Sequence, residues 1–256
     1  MPDLRLTFLG TGTSQGIPVI ACECEVCRSI DPRDKRLRTS VMIETQGKTI
    51  VIDTGPDFRQ QMLREQVKQL DAVVFTHEHK DHMAGMDDVR AFNFFQKRAM
   101  DIYASARVQE SLKRDFHYAF SPNPYPGVPQ LNLHTIDWDP FSVAGVEFVP
   151  FEVLHHKLPV HAFRIGDCTY ITDANYLSEQ SKAIAKNSKV LVLNALRKKA
   201  HISHFTLDEA LELIEELQPE RAYLTHLSHQ MGKHVEVSRL LPDNVEIAYD
   251  GLKVEV

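Results

Sequence analysis

Ten consecutive residues constrain this chain more than any others: Val73-Val74-Phe75-Thr76-His77-Glu78-His79-Lys80-Asp81-His82. The apolar start reads as a buried strand, and it opens directly onto four side chains able to hold a metal. In an extended segment His77 and His79 point to the same side, because side chains alternate along a strand. If a helical turn begins near Asp81, then Asp81 and His82 swing toward a neighbouring point. One short loop leaving a buried strand can therefore feed two adjacent metal positions. Imidazole and carboxylate donors suit Zn, Mn or Fe and discriminate poorly among them.

The remaining sequence surrounds that strand with others of its kind. Alternating or β-branched runs predict strands at 4–9, 39–44, 49–53, 72–76, 131–136, 146–153, 160–165, 169–172, 190–194, 222–225 and 245–248. Helices are expected at 57–66, 86–96, 104–116, 178–186, 206–216 and 234–241. The clearest has Thr206 as N-cap and Ala210, Leu211, Leu213 and Ile214 spaced for one buried face. Between Ser121 and Pro129, four prolines in eight positions forbid regular structure, which reads as a surface loop within one domain of 1–256. Strands interleaved with helices imply two packed sheets with helices outside them, an α/β sandwich.

Charge and composition narrow the partners. The chain has 256 residues and a formal net charge of −6, which argues against a large nucleic-acid footprint, since that needs clustered Lys and Arg. Its one short basic cluster, Arg197-Lys198-Lys199, reads as a solvated loop edge. No apolar run approaches the ~20 residues of a membrane span, and Met1-Pro2-Asp3-Leu4-Arg5 lacks the features of a secretory leader. A cytoplasmic location is the resulting expectation. Thirteen histidines and four cysteines, three of them in Cys22-Glu23-Cys24-Glu25-Val26-Cys27, ask for a chemical explanation. That spacing is too tight for a disulfide framework. Three thiolates in one loop want a fourth ligand for a tetrahedral structural Zn²⁺, and a histidine is the expected one. Cys168 falls within a strand and reads as core.

The loop Thr76-His77-Glu78-His79-Lys80-Asp81-His82 resembles the signature of the metallo-β-lactamase superfamily, a four-layer αββα sandwich of mostly metal-dependent hydrolases. The resemblance implies His77 and His79 on one metal, and Asp81 and His82 on the other, with Asp81 also counted among the catalytic residues. It implies that Asp53, in Ile52-Asp53-Thr54-Gly55, orients the ligand loop. Asp173 would bridge both metals from a strand end, and His226 resembles the last ligand. Of the neighbours His155 and His156, only one can face the site from an extended backbone; the His-x-Lys-Leu pattern of related cyclic-phosphate phosphodiesterases selects His155. His161 reads as a partly exposed strand residue and His201 as a solvated loop histidine.

Gly10-Thr-Gly-Thr-Ser-Gln-Gly-Ile-Pro18 followed by the cysteine triplet resembles the subfamily typified by phosphoribosyl 1,2-cyclic phosphate phosphodiesterases. That resemblance implies a structural zinc on Cys22, Cys24, Cys27 and His229, and a homodimer. It also assigns His204, in a His-x-Thr element before a helix, as general acid or transition-state stabiliser. The expected function is metal-dependent hydrolysis of a small cyclic or nucleotide-like phosphodiester through a metal-bridging hydroxide, with two divalent ions, Zn or Mn, at the site. Lactone or thioester hydrolysis, RNA 3′-end processing and a metal- or redox-sensing module are the competing readings.

Overall fold

The alternation of apolar and polar positions along the N-terminal strands is realised as two β-sheets. In this computed structural model, residues 4–256 are described; Met1, Pro2 and Asp3, part of the segment read for a leader, lie outside them. The strands are β1 (Arg5–Gly10), β2 (Ser40–Thr45), β3 (Lys48–Ile52), β4 (Ala72–Val74), β5 (Met100–Ala104), β6 (Leu131–Thr135), β7 (Phe141–Val143), β8 (Val146–His155), β9 (Leu158–Ile165), β10 (Cys168–Ile171), β11 (Tyr176–Leu177), β12 (Val190–Asn194), β13 (Arg221–Thr225), β14 (Val245–Ile247) and β15 (Lys253–Glu255). One sheet runs β15-β1-β2-β3-β4-β5-β6; the other runs β11-β8-β9-β10-β12-β13-β14, with β7 also paired to β8. The helices are α1 (Phe58–Arg64), α2 (Lys80–Met83), α3 (Arg90–Gln96), α4 (Ala106–Asp115), α5 (Glu179–Ala185), α6 (Leu207–Leu217) and α7 (His234–Ser238).

Three apolar clusters map the layers. Phe8, Ile43, Ile52, Val74, Phe148, Phe163, Tyr170 and Val192 fill the space between the sheets. Phe58, Met62, Val73, Val108 and Leu112 bury α1 and α4 on the outer face of the first sheet. Leu191, Leu193, Ala210, Leu213, Ile214 and Val237 do the same for α6 and α7 on the second. Three interfaces make four layers, the expected αββα sandwich. Core strands β3, β4 and β5 run parallel, as do β10, β12 and β13, so their carboxyl ends open on loops that can converge at one edge.

Several element boundaries depart from expectation. β7, β11 and β15, of two or three residues, are too short to show a period, and β5, which alternates buried and half-buried positions over five residues, is absent from the expected strands. The helix expected from residue 104 starts at Ala106, because Ala104 pairs with Thr135 and the Ser105 hydroxyl accepts the Val108 N–H. The segment 86–96 splits into a 3₁₀ turn at Met86–Val89 followed by α3. Thr206 caps α6 as expected, and Glu209 returns a hydrogen bond to its N–H, completing a capping box.

A buried polar junction fastens the chain's two ends. Arg36 donates to Thr11 Oγ1 (2.7 Å) and to the Ala248 carbonyl (2.5 Å). Asp250 accepts from Thr11 Oγ1 and from the Leu37 N–H, both at 2.7 Å. His234 lies against Arg36, and its own N–H donates to Asp34 (2.7 Å). Burial, with Arg36 and Arg33 beside it, pushes the His234 imidazole down to about 4. The unfolded imidazole titrates near 6.5, so on acidification the unfolded chain takes up this proton first. The stability that depends on neutral His234 is therefore complete above about pH 6.5 and is lost as pH falls toward 4. His234→Gln should flatten that limb of a chemical-denaturation curve measured against pH; an unchanged slope would assign it to other groups.

Candidate metal centre

The strand ends place the histidine loop where the sheets meet. β4 ends at Val74, the chain bends at Thr76, and His79 is in extended backbone immediately before α2 begins at Lys80. Gly55 and Gly85 permit the close approach that follows. A Cβ on Gly55 would stand 2.1 Å from the Asp81 carbonyl, and one on Gly85 2.1 Å from the Gly55 carbonyl. The Thr54 N–H donates to the His82 carbonyl (2.7 Å), pinning α2 to the end of β3.

Asp53 organises this corner. It is fully buried with φ of +65°. Oδ1 accepts the Thr76 N–H at 2.9 Å, and Oδ2 accepts the Thr76 hydroxyl and His82 Nδ1, both at 2.7 Å. With Nδ1–H engaged, His82 turns Nε2 inward, the tautomer a metal ligand needs. Burial raises the Asp53 carboxyl above its ordinary range despite the pull of His82 and Thr76.

The residues that the histidine loop and the resemblance point to are brought together. The His77 ring centroid is 4.6 Å from that of His79, 4.2 Å from His82 and 5.9 Å from His155; His79 and His155 are 5.1 Å apart. His82 Nε2 lies 3.1 Å from Asp173 Oδ2 and 3.4 Å from Asp81 Oδ2. His226 Nε2 lies 3.3 Å from Asp173 Oδ1 and 3.7 Å from Asp81 Oδ2. Donor atoms of His77, His82 and Asp173 fall within 4.8 Å of one another, as do those of Asp81, His82 and His226. Asp173 thus faces both halves of the cluster. His204 Nε2 also contacts Asp173 Oδ1, at 3.1 Å.

His155 and His156 separate cleanly. The His155 ring joins the cluster, and Nδ1 donates to the Ser203 carbonyl (2.9 Å). His156, at φ +58°, is exposed. His161 corrects its expectation of partial exposure. It is buried, stacked on Trp138 with centroids 4.1 Å apart, and hydrogen-bonded through Nε2 to the Asp137 carbonyl. Its polar edge is satisfied and its ring covered, so a strand position facing the other sheet's loops costs little. His201 is half-buried, with Nδ1 3.2 Å from Ser203 Oγ and 3.3 Å from His204 Nδ1, and so is less solvated than its loop position implies.

Sequence reasoning missed the supports. Ser203 orients His155 through a backbone carbonyl, which no side-chain pattern signals. Asn194, buried at the end of β12, accepts the Ala174 N–H (2.8 Å) and donates to the Ala174 carbonyl (2.9 Å), bracing the turn after Asp173. A polar residue closing the all-apolar run Val190-Leu-Val-Leu193 was the available clue.

A metal fits this donor set. His77 Nε2, His82 Nε2 and both nitrogens of His226 are buried without a hydrogen-bond partner, a costly arrangement for groups that otherwise always find one. Burial holds His77 and His204 below the ordinary imidazole range, and burial likewise lowers His155. His77 and His155 are therefore neutral and free to offer a lone pair near pH 7. Burial would lower His82 too, but the carboxylates of Asp173, Asp81 and Asp53 outweigh it and raise His82 well above the ordinary imidazole range, so a metal bound there would displace its proton. Burial would raise Asp81, but His82 and hydrogen bonds from His226 and His82 outweigh it and keep it ionised.

A second cluster lies just beyond His226, which follows the end of β13. His229 Nδ1 stands 3.3 Å from the sulfurs of Cys22 and Cys24 and 3.6 Å from that of Cys27. Burial opposes ionisation of Cys24, yet the Cys27 N–H, His229 and the neighbouring thiols bring it down to about 6; burial pushes Cys27 up to about 11. Cys168 is wholly buried in the core between the sheets, as expected.

The fold and site define a class, the αββα proteins that carry a histidine- and aspartate-rich cluster at one edge of the sandwich. The chain belongs to the β-lactamase superfamily domain family, which it matches over residues 48–227. It is 41% identical over 253 residues to an octanoyltransferase of Porphyromonas gingivalis, covering 98% of this chain and 51% of that protein. The chain spans about half the length of the curated relatives it matches first. A crystal structure described as a new diphosphatase from the PhnP family superposes with a TM-score of 0.93 at 39% identity, over 99% of this chain and 97% of that one. Zn²⁺-bound PqqB from Methylobacterium extorquens shares the fold, with a TM-score of 0.80 at 16% identity over 98% of this chain and 100% of that one.

Asp53→Asn places an amide N–H₂ against one of the groups that now donates to the carboxylate. Metal affinity, measured by competition with a chromogenic chelator, should fall about 10- to 100-fold. Unchanged affinity would remove Asp53 from its orienting role.

Proposed function

We propose that the chain is a metal-dependent phosphodiesterase that hydrolyses a small cyclic or nucleotide-like phosphodiester. The observation that carries the reading is the set of unpartnered inward nitrogens on His77, His82 and His226, facing the carboxylates of Asp81 and Asp173. His77, His79 and His155 would hold one divalent ion, and Asp81, His82 and His226 the other, with Asp173 shared. Zn and Mn both suit this donor set. Bound there, the two ions would supply a nucleophilic water near neutral pH and charge stabilisation for the phosphoryl oxygens.

The chain's own residues supply orientation and a hydrogen-bond donor. Asp53 holds His82, and the Ser203 carbonyl holds His155, each by the nitrogen turned away from the cluster. The His204 Nε2–H, against Asp173, sits at the edge of the cluster, where it can hydrogen-bond a departing oxygen and stabilise the charge that develops on it. Ser203 Oγ, 3.0 Å from His204 Nδ1, fixes the ring from behind. Cys22, Cys24, Cys27 and His229 would bind a structural zinc that ties the N-terminal loop to the segment following His226.

The PhnP-family diphosphatase, similar along nearly the whole chain, supports phosphoryl chemistry and placement in that subfamily. The octanoyltransferase likeness supports no acyl-transfer reading by itself, since about half of that protein lies outside the match. The acidic balance and the small scale of the site favour a small substrate over RNA.

The experiment is a substrate panel on metal-reconstituted protein: bis-p-nitrophenyl phosphate, 2′,3′-cyclic nucleotides, a lactone and a thioester. Phosphodiesters should turn over, and a chelator should abolish the rate. Asp81→Ala should remove activity with an unchanged circular dichroism spectrum, and His204→Ala should lower kcat by roughly 10²–10⁴. Turnover of the lactone or thioester alone would overturn the substrate class. Cys24→Ser should lower Tm and release one metal per chain; loss of function at unchanged Tm and metal content would instead favour a sensing role for the thiols.

A further inference from the structure

A cleft of about 260 Å³ opens beside the metal-binding cluster, at the carboxyl ends of β4, β5 and β6. His77 belongs to both, so anything in the cleft lies one side chain from the cluster. Its far wall is Trp138, the chain's single tryptophan. The indole stacks on His161 with planes 11° apart. The backbone N–H of His161 reaches across from β9 to the Thr76 carbonyl (3.2 Å), so the stacked pair is fastened to the segment that carries His77. The wall is rigid, yet the indole remains 39% exposed. A large ring left partly in water forgoes part of its burial free energy; one face covers His161, and the residue borders this cleft and a neighbouring one lined by Pro150, Phe151 and Ser181.

Size and lining narrow the occupant. The volume lies just below the ~300–1,000 Å³ of pockets for drug-sized ligands, room for one ring system rather than a stretch of polynucleotide. Ile136 and the indole offer apolar surface, while Thr135, Asp137 and the Arg107–Glu78 ion pair bring polar and charged groups to it. A bare acyl chain would cover those polar groups without hydrogen-bonding them. A sugar can lay its C–H face on an indole, but a puckered ring covers less of it than a flat one does. A flat ring with a polar edge satisfies both.

We propose that this cleft binds the organic group of the phosphodiester, and that this group is a heteroaromatic ring such as a nucleobase seated against Trp138. The inference rests on the phosphodiesterase reading for its substrate, but its test does not. With one indole in the chain, intrinsic fluorescence reports on the cleft in metal-free protein. Adenosine 5′-monophosphate should quench it saturably, whereas ribose 5-phosphate and octanoate should not. Quenching by octanoate instead, or none by the nucleotide, overturns the assignment.

The second measurement uses metal-loaded protein. It compares kcat/KM for thymidine 5′-p-nitrophenyl phosphate with that for methyl p-nitrophenyl phosphate. Ala106→Phe, at an exposed helical position on the cleft wall, should lower that ratio about tenfold, the loss expected when one stacked base is excluded. An unchanged ratio counts against the cleft. If no phosphodiester is hydrolysed at all, the activity reading fails, and the fluorescence titration alone decides whether the cleft holds a ring.

Discussion

The candidate metal centre depends on one buried carboxylate. Asp53 receives three hydrogen bonds from two separate pieces of chain, the Thr76 segment leaving β4 and His82 on α2. In a low-dielectric interior these bonds are strong, and leaving any of them unmade is expensive. They set the direction in which the chain leaves β4 and the tautomer of His82 together. The positive φ of Asp53 is part of the same arrangement, turning the chain sharply at the end of β3 so that its carboxylate points across to β4. Asp173 and His226 leave their own strands in the same left-handed conformation, at +52° and +56°. Such positions cost about 1–3 kcal/mol each and persist where the surroundings over-determine them. Asn194 performs that service behind Asp173, and the Thr11–Leu227 backbone contacts do so behind His226.

The sandwich makes this convergence possible. Parallel strands in both sheets deliver their carboxyl ends to the same edge, one sheet bringing Asp53 and the histidine loop, the other Asp173 and His226. The glycine-rich run beginning at Gly10 pairs with Leu227 through Gly12 and is anchored at Thr11 by Arg36 and Asp250. The cysteine loop then folds over His229, so that residues more than 200 positions apart meet within hydrogen-bonding reach.

Much of this was legible. The strand before His77, the capping box at Thr206 and the buried apolar runs through Val190–Asn194 all carry their signals within a few neighbours. Strands β7, β11 and β15 are too short to show a period, whereas Met100–Ala104 of β5 does alternate and carried a signal of its own. His161 escaped for a different reason. Alternation along β9 says which side a residue takes, but only the arrival of Trp138 and the β4 end from the other sheet decides that this side is covered. Ser203 could not be read at all, because the group that orients His155 is a carbonyl common to every residue.

The sequence by itself determined the strand-and-helix alternation, the donor types clustered after β4 and the three thiols of one loop, because each is set by residue identity and short-range spacing. Only the tertiary structure decided which imidazole nitrogen each histidine turns inward, that His161 is covered, and that Trp138 borders the same cleft as His77. Those outcomes depend on hydrogen bonds and packing between segments tens to hundreds of residues apart, and such contacts exist only once the two sheets have closed on each other.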